Sequence, residues 1–143
     1  MAQPFKIDRV LFATDLSLAC EPALRYATAM ASRFNAELFL LHVVPAGTSA
    51  AAQGSERRAA VVMGQLRQRL LNVHDKFTMA ILSGDPAARI LQKAHDVEAD
   101  LIVMGTSERN PAPGCVTDKV VCGAPCPVLT VPHARELPTE LHP

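Results

Sequence analysis

Two stretches of the chain hold residue types that could do chemistry. Asp15 follows the apolar run Val10-Leu11-Phe12-Ala13 through Thr14. A carboxylate at the end of such a run can contact a ligand, or it can simply turn the loop before Ser17 by accepting a local N–H. Gly114-Cys115-Val116-Thr117 opens a short helical stretch, roughly Val116 to Cys122, with Pro125 beyond its end. A helix start offers N–H groups without intrahelical partners, and these attract an anion. The same start favours a thiolate at Cys115. Cys115 is therefore expected to react faster than Cys20, Cys122 or Cys126.

Other chemistries find less support. A phosphoacceptor role for Asp15 would want neighbouring acids for Mg²⁺ and a Lys after a later strand; Thr106 and Ser107 stand after the fourth apolar run instead. Cys122 and Cys126 have three residues between them, Pro125 included, and form no Cys-x-x-Cys pair. His42 lies in an apolar run and reads as a satisfied core group. No metal site is expected. No paired carboxylates and no Ser-His or Cys-His arrangement stands at a diagnostic spacing, so no catalytic residue is assigned.

These residues need elements to hold them. Apolar runs at Arg9–Ala13, Glu37–Val44, Phe77–Leu82, Asp100–Met104 and Pro127–Val131 lack polar alternation. Such runs suit a parallel sheet covered on both faces. Helical stripes lie between them: Leu24, Ala27, Ala31 and Phe34, then Val62, Leu66, Leu70 and Val73, then Ile90, Leu91 and Ala94. Asp85 and Pro86 mark the start of the third helix. Pro22 is awkward inside a first helix and moves its start to near Glu21. Residues 45–56 are small and polar and read as a mobile loop. Residues 1–132 form one α/β domain and residues 133–143 a tail. Alternating strands and helices with right-handed crossovers give a doubly wound sheet. Its ligands sit beyond the strand C-termini, which selects Thr14-Asp15, Val43-Val44 and Gly105 to Thr117.

Composition agrees with a single globular domain: 143 residues, 49% hydrophobic and 20% charged. Fourteen basic and fourteen acidic residues cancel, which argues against binding nucleic acid or acidic lipid through an overall field. One Tyr, five Phe and no Trp leave few rings for stacking on bases. The start Met1-Ala2-Gln3-Pro4 has no basic, then apolar, signal pattern, and no apolar stretch approaches the ~20 residues of a membrane span. A cytoplasmic location without membrane attachment is expected.

Val10-Leu11-Phe12-Ala13-Thr14-Asp15-Leu16-Ser17 resembles the opening strand and loop of the universal stress protein family. Leu40-Leu41-His42-Val43-Val44 resembles its second strand, and Gly84 to Gly105 its third helix and fourth strand. Ala124-Pro125-Cys126-Pro127-Val128-Leu129-Thr130-Val131 resembles its closing strand, so the match runs in order from residue 5 to 132. The resemblance implies a five-stranded parallel sheet in the order 3-2-1-4-5 with helices on both faces. It also implies a stress-response binding or regulatory module. Many members bind ATP or related adenine nucleotides, and others do not. Asp15 matches the acidic residue that holds the nucleoside, and Ala13 stands where binders often have Pro. Val43 matches the position whose backbone meets adenine. Met104-Gly105 leads into the phosphate loop, with Gly105 its first glycine. Gly114, Cys115, Val116 and Thr117 match the start of the last helix. Arg109 is ordinary for the family.

The phosphate half departs from the family pattern. That pattern is Gly, two residues, Gly, nine residues, Gly and Ser or Thr. Here Glu108 takes the second glycine position, Cys115 replaces the hydroxyl, and the prolines Pro111 and Pro113 remove two N–H donors. The expectation is a shortened loop, with ATP or AMP bound weakly through the adenosine half. The alternatives are a ligand-free dimeric interaction protein and a slow nucleotide hydrolase. The resemblance further implies a homodimer through strand 127–132.

Overall fold

The computed structural model describes residues 6–106 and 114–133. Five strands, β1 (Arg9–Ala13), β2 (Glu37–Val44), β3 (Phe77–Ser83), β4 (Leu101–Thr106) and β5 (Val128–Pro132), form one sheet. Every pairing is parallel and the order is β3-β2-β1-β4-β5. Four α-helices connect them: α1 (Glu21–Phe34), α2 (Ala50–Leu70), α3 (Pro86–Asp96) and α4 (Val116–Gly123). The architecture is the doubly wound α/β sheet expected from the alternation of runs.

The strand period of two divides the buried side chains between two faces. Val10, Phe12, Leu38, Leu40 and Val103 pack with Ala23, Ala27, Met63 and Leu66 of α1 and α2. Leu11, Ala13, Leu41, Ile102 and Met104 pack with Ala87, Ile90, Ala94 and Val120 of α3 and α4. The central strand β1 is therefore apolar on both sides, and its C-terminal end delivers Thr14 and Asp15 to the sheet's upper rim. Among the described residues the one buried polar side chain, His74, is satisfied. His74 lies against the Ala36 carbonyl with Nε2 at 2.7 Å. A carbonyl can only accept, so that ring nitrogen is the donor.

Helix starts follow local chemistry. The Asp85 carboxylate accepts from the Ala88 N–H at 2.9 Å, and Pro86 occupies the first turn of α3 as its missing N–H allows. α1 begins at Glu21 after a 3-10 turn over Leu18–Cys20, which lets Pro22 sit at an early helical position.

Two expectations about α2 are corrected. Residues 50–56 are helical, not a loop. Ser49 caps the helix, its hydroxyl accepting from the Ala52 N–H at 3.1 Å. The buried stripe of α2 is Ala52, Ala59, Met63, Leu66 and Leu70. Val73 lies beyond the helix end and is 61% exposed. Among the described residues no helix is long and apolar enough to cross a membrane.

Candidate functional site

The rim of the sheet opens into a cleft of about 390 Å³ at the C-terminal ends of β1, β2 and β4. That is within the size range of small-ligand sites. Eight of the residues singled out by sequence, Ala13, Asp15, Val43, Met104, Gly105, Cys115, Val116 and Thr117, line it together. Gly114 adjoins them at φ +82°, a left-handed conformation that glycine adopts without strain, but it does not line the cleft. Arg109 and Glu108 lie outside the described residues.

The β1 side of the cleft is built by a tight turn. Leu16 takes φ +64°, an uncommon value for a bulky residue. Its N–H donates to the Thr14 hydroxyl at 2.9 Å, and the Ser17 N–H donates to Asp15 Oδ1 at 2.8 Å. Asp15 therefore does turn the loop before Ser17, and it also faces the cleft. The turn returns the chain so that the buried Cys20 thiol donates to the same Asp15 Oδ1 at 3.0 Å. Burial pushes the Asp15 carboxyl up, but the bonds from Cys20 and Ser17, with the charge of His133, outweigh it and hold the group below the usual carboxylate range. Burial, followed by the Asp15 acceptor, pushes the Cys20 thiol above its ordinary value.

His42 is only half-buried and lines the same cleft, which corrects its assignment to the core. Its Nδ1 lies 2.8 Å from the Thr14 carbonyl and must be the donor, which ties β2 to the turn after β1. His133, taken from sequence as tail, extends the sheet: its N–H donates to the Thr106 carbonyl at 2.8 Å. Its ring reaches back to Cys20, with Nε2 3.6 Å from Sγ. Gly105 makes room for this contact. A Cβ there would stand 2.9 Å from His133 Cδ2 and 3.3 Å from Cys20 Sγ.

The α4 side departs from expectation. The helix start was taken to offer unpartnered N–H groups, yet Asp118 reaches back to it. Its Oδ2 accepts from the Gly114 N–H at 2.8 Å, while its own N–H donates to Cys115 Sγ at 3.4 Å. The Cys115 thiol thus caps α4, and the Asp118 carboxylate closes on the N–H one residue before that cap. The helix start already carries a carboxylate of the chain itself. That negative charge beside the helix start works against a thiolate at Cys115.

Sequence reasoning missed Cys20, His42 and His133 as members of the cleft. Asp15 and Cys20 are five residues apart across a turn, a spacing that carries no signal until the turn is known. His133 directly follows β5, and 113 residues separate it from Cys20, so no local sequence signal joins the two.

Comparison with known proteins places the chain. The family model of the universal stress protein family matches residues 6–132. A Staphylococcus aureus (strain USA300) chain that carries a universal stress protein name is 29% identical over 148 residues, covering 94% of this chain and 89% of that relative. The universal stress protein UspA from Lactobacillus plantarum superposes with a TM-score of 0.74 at 29% identity, covering 90% of this chain and 99% of that one. An Arabidopsis thaliana universal stress protein family structure with AMP bound has the same fold, with a TM-score of 0.68 at 22% identity over 93% of this chain and 97% of that one. With sheet order, cleft position and family match in agreement, the chain belongs to the universal stress protein family.

Proposed function

We propose that this chain is a cytoplasmic stress-response module that binds an adenine nucleotide in the rim cleft, through the adenosine half more than the phosphates. The observation that carries the reading is the convergence of Ala13, Asp15, Val43, Met104, Gly105 and the start of α4 on one cleft. Solved family structures described as complexes with cAMP, dAMP and AMP support the ligand class. Asp15 is placed to accept from ribose hydroxyls, since a carboxylate has about four lone-pair sites and its local bonds use only part of them. Val43 presents its backbone to the base. Gly105, Gly114, Cys115, Val116 and Thr117 border the phosphates, with Arg109 the candidate cation of the loop. The weak element is that phosphate end, where Asp118 already holds the Gly114 N–H.

The test is equilibrium binding of AMP to the native chain and to Asp15→Ala. Losing hydrogen bonds to a charged group costs about 1.5–3 kcal/mol, so affinity should fall by about tenfold to a hundredfold. An unchanged affinity would remove Asp15 from the site and the reading with it.

Assembly is proposed from the sheet edge. Among the described residues β5 borders only β4, and its residues Val128-Leu129-Thr130-Val131 are mostly apolar. An apolar edge strand is a pairing hazard unless covered. We assign its cover to a second copy of the chain about a two-fold axis through residues 127–132. Light scattering at tens of micromolar protein should give the mass of a dimer; a monomer there would contradict the assignment. Such a dimer would also serve the alternative of a ligand-free interaction protein, which the AMP measurement separates from nucleotide binding.

A further inference from the structure

Asp15, Cys20 and His133 come from three separate parts of the chain, yet one ligand atom of each lies within 4.8 Å of the others. The thiol is buried, the imidazole half-buried and the carboxylate exposed. All three residues line the cleft, so the group is open on one side. The Sγ to Nε2 distance of 3.6 Å is an ordinary length for a hydrogen bond that involves sulfur. It matches the edge of a metal tetrahedron: zinc bonds of about 2.3 Å to sulfur and about 2.0–2.1 Å to nitrogen at a tetrahedral angle place the two ligands about 3.6 Å apart. The Sγ to Oδ1 distance of 3.0 Å is a thiol–carboxylate hydrogen bond. Replacing its proton by a cation requires those two atoms to part by about half an ångström.

Gly105 is the second observation. A Cβ there would stand 2.9 Å from the His133 ring, closer than real Cβ contacts, and tightly, at 3.3 Å, against Cys20 Sγ, so the absence of a side chain lets the imidazole and thiol approach each other. The backbone bond from His133 to Thr106 holds the His133 main chain one residue beyond β5. The ligands thus stand on a strand end and on a helix-leading turn, not on free surface side chains.

We propose that Asp15, Cys20 and His133 form a binding site for a zinc-class divalent cation, with a fourth position open to the cleft. The donor set selects the metal. A thiolate and an imidazole favour zinc and its neighbours and disfavour Mg²⁺ and Ca²⁺, which want oxygen ligands. Three protein ligands with one open position is the arrangement that leaves room for water or an entering anion. On binding, the Cys20 S–H bond breaks, a sulfur–metal bond forms and the proton passes to solvent; no oxidation is involved. Asp15, now the acceptor of that thiol proton, becomes a ligand through a carboxylate oxygen.

The experiment is titration of the metal-free native chain with Co²⁺, in the absence of nucleotide, followed by displacement with Zn²⁺. Omitting nucleotide keeps the result independent of whether AMP binds. A thiolate-to-cobalt charge-transfer band with tetrahedral visible bands, at one metal per chain, is expected. Cys20→Ala should lose the charge-transfer band. His133→Gln, at a strand end where folding is not at stake, should weaken Co²⁺ binding by about a hundredfold or more, since even outer partners of a metal site are worth 10–100-fold. The Cys115→Ser, Cys122→Ser double variant should keep the band. Failure of the native chain to produce the band, a band that survives Cys20→Ala, or His133→Gln binding as tightly as the native chain would each overturn the proposal.

Discussion

Replacing Glu108 by glycine and Asp118 by asparagine together is expected to strengthen ATP binding by about tenfold or more, and to strengthen AMP binding less. The reason is charge at the phosphate end of the cleft. Asp118 Oδ2 sits on the Gly114 N–H, at the helix start where an anion would otherwise dock. Glu108 takes a glycine position in the sequence pattern of the loop. A carboxylate about 4 Å from a phosphate charge opposes it by about 1 kcal/mol in water and about 4 kcal/mol at an effective dielectric near 20. Two such groups at the lower value already amount to more than tenfold in affinity. The terminal phosphates of ATP would feel them more than the single phosphate of AMP. Asp118→Asn also gives up a favourable charge at the α4 start, at a cost of about 0.3–1 kcal/mol of stability, too small to mask the effect. Equal gains for AMP and ATP, measured by calorimetry in Mg²⁺, would contradict the electrostatic argument.

Phe12→Ala is expected to have the largest effect on stability. Phe12 is 1% exposed on β1, between Leu40 of β2 and Val103 of β4. Truncating a buried phenylalanine costs about 3–5 kcal/mol, against a typical total of 5–15 kcal/mol. For a domain of this size the thermal midpoint should fall by on the order of 10 °C. The consequence reaches the cleft, because β1 delivers Asp15 to the rim. A loss under about 1 kcal/mol, read from denaturant midpoints, would mean that the core does not centre on β1.

How much of this was legible in the sequence depends on how local the signal is. The bounds of β1 and β2 agree with Arg9–Ala13 and Glu37–Val44, because doubly buried parallel strands leave unbroken apolar runs. The start of α3 was legible from Asp85 and Pro86, since capping chemistry lies within one turn. The start of α2 was obscured by Gly47, Gly54 and Ser55, whose loop-like composition outweighed the Ser49 cap. The cleft was half legible. Residues on strand ends and at the α4 start follow from the sheet rule and the family resemblance. Cys20 and His133 do not, because 113 residues separate them and only the finished sheet brings them together. The Asp118 bond to Gly114 was equally hidden, since a carboxylate in the first turn of a helix reads as ordinary stabilisation until its partner is seen.

The division of the cleft into a working adenosine half and a weakened phosphate half is tested by one measurement. Isothermal calorimetry of the native chain with AMP, ADP and ATP in Mg²⁺ gives the affinity order. AMP should bind measurably, and each added phosphate should contribute little, so that ATP binds no more than about tenfold tighter than AMP, a difference of about 1.4 kcal/mol. Submicromolar ATP binding with AMP far weaker would show an intact phosphate site and contradict that division; no heat from any of the three would contradict nucleotide binding itself.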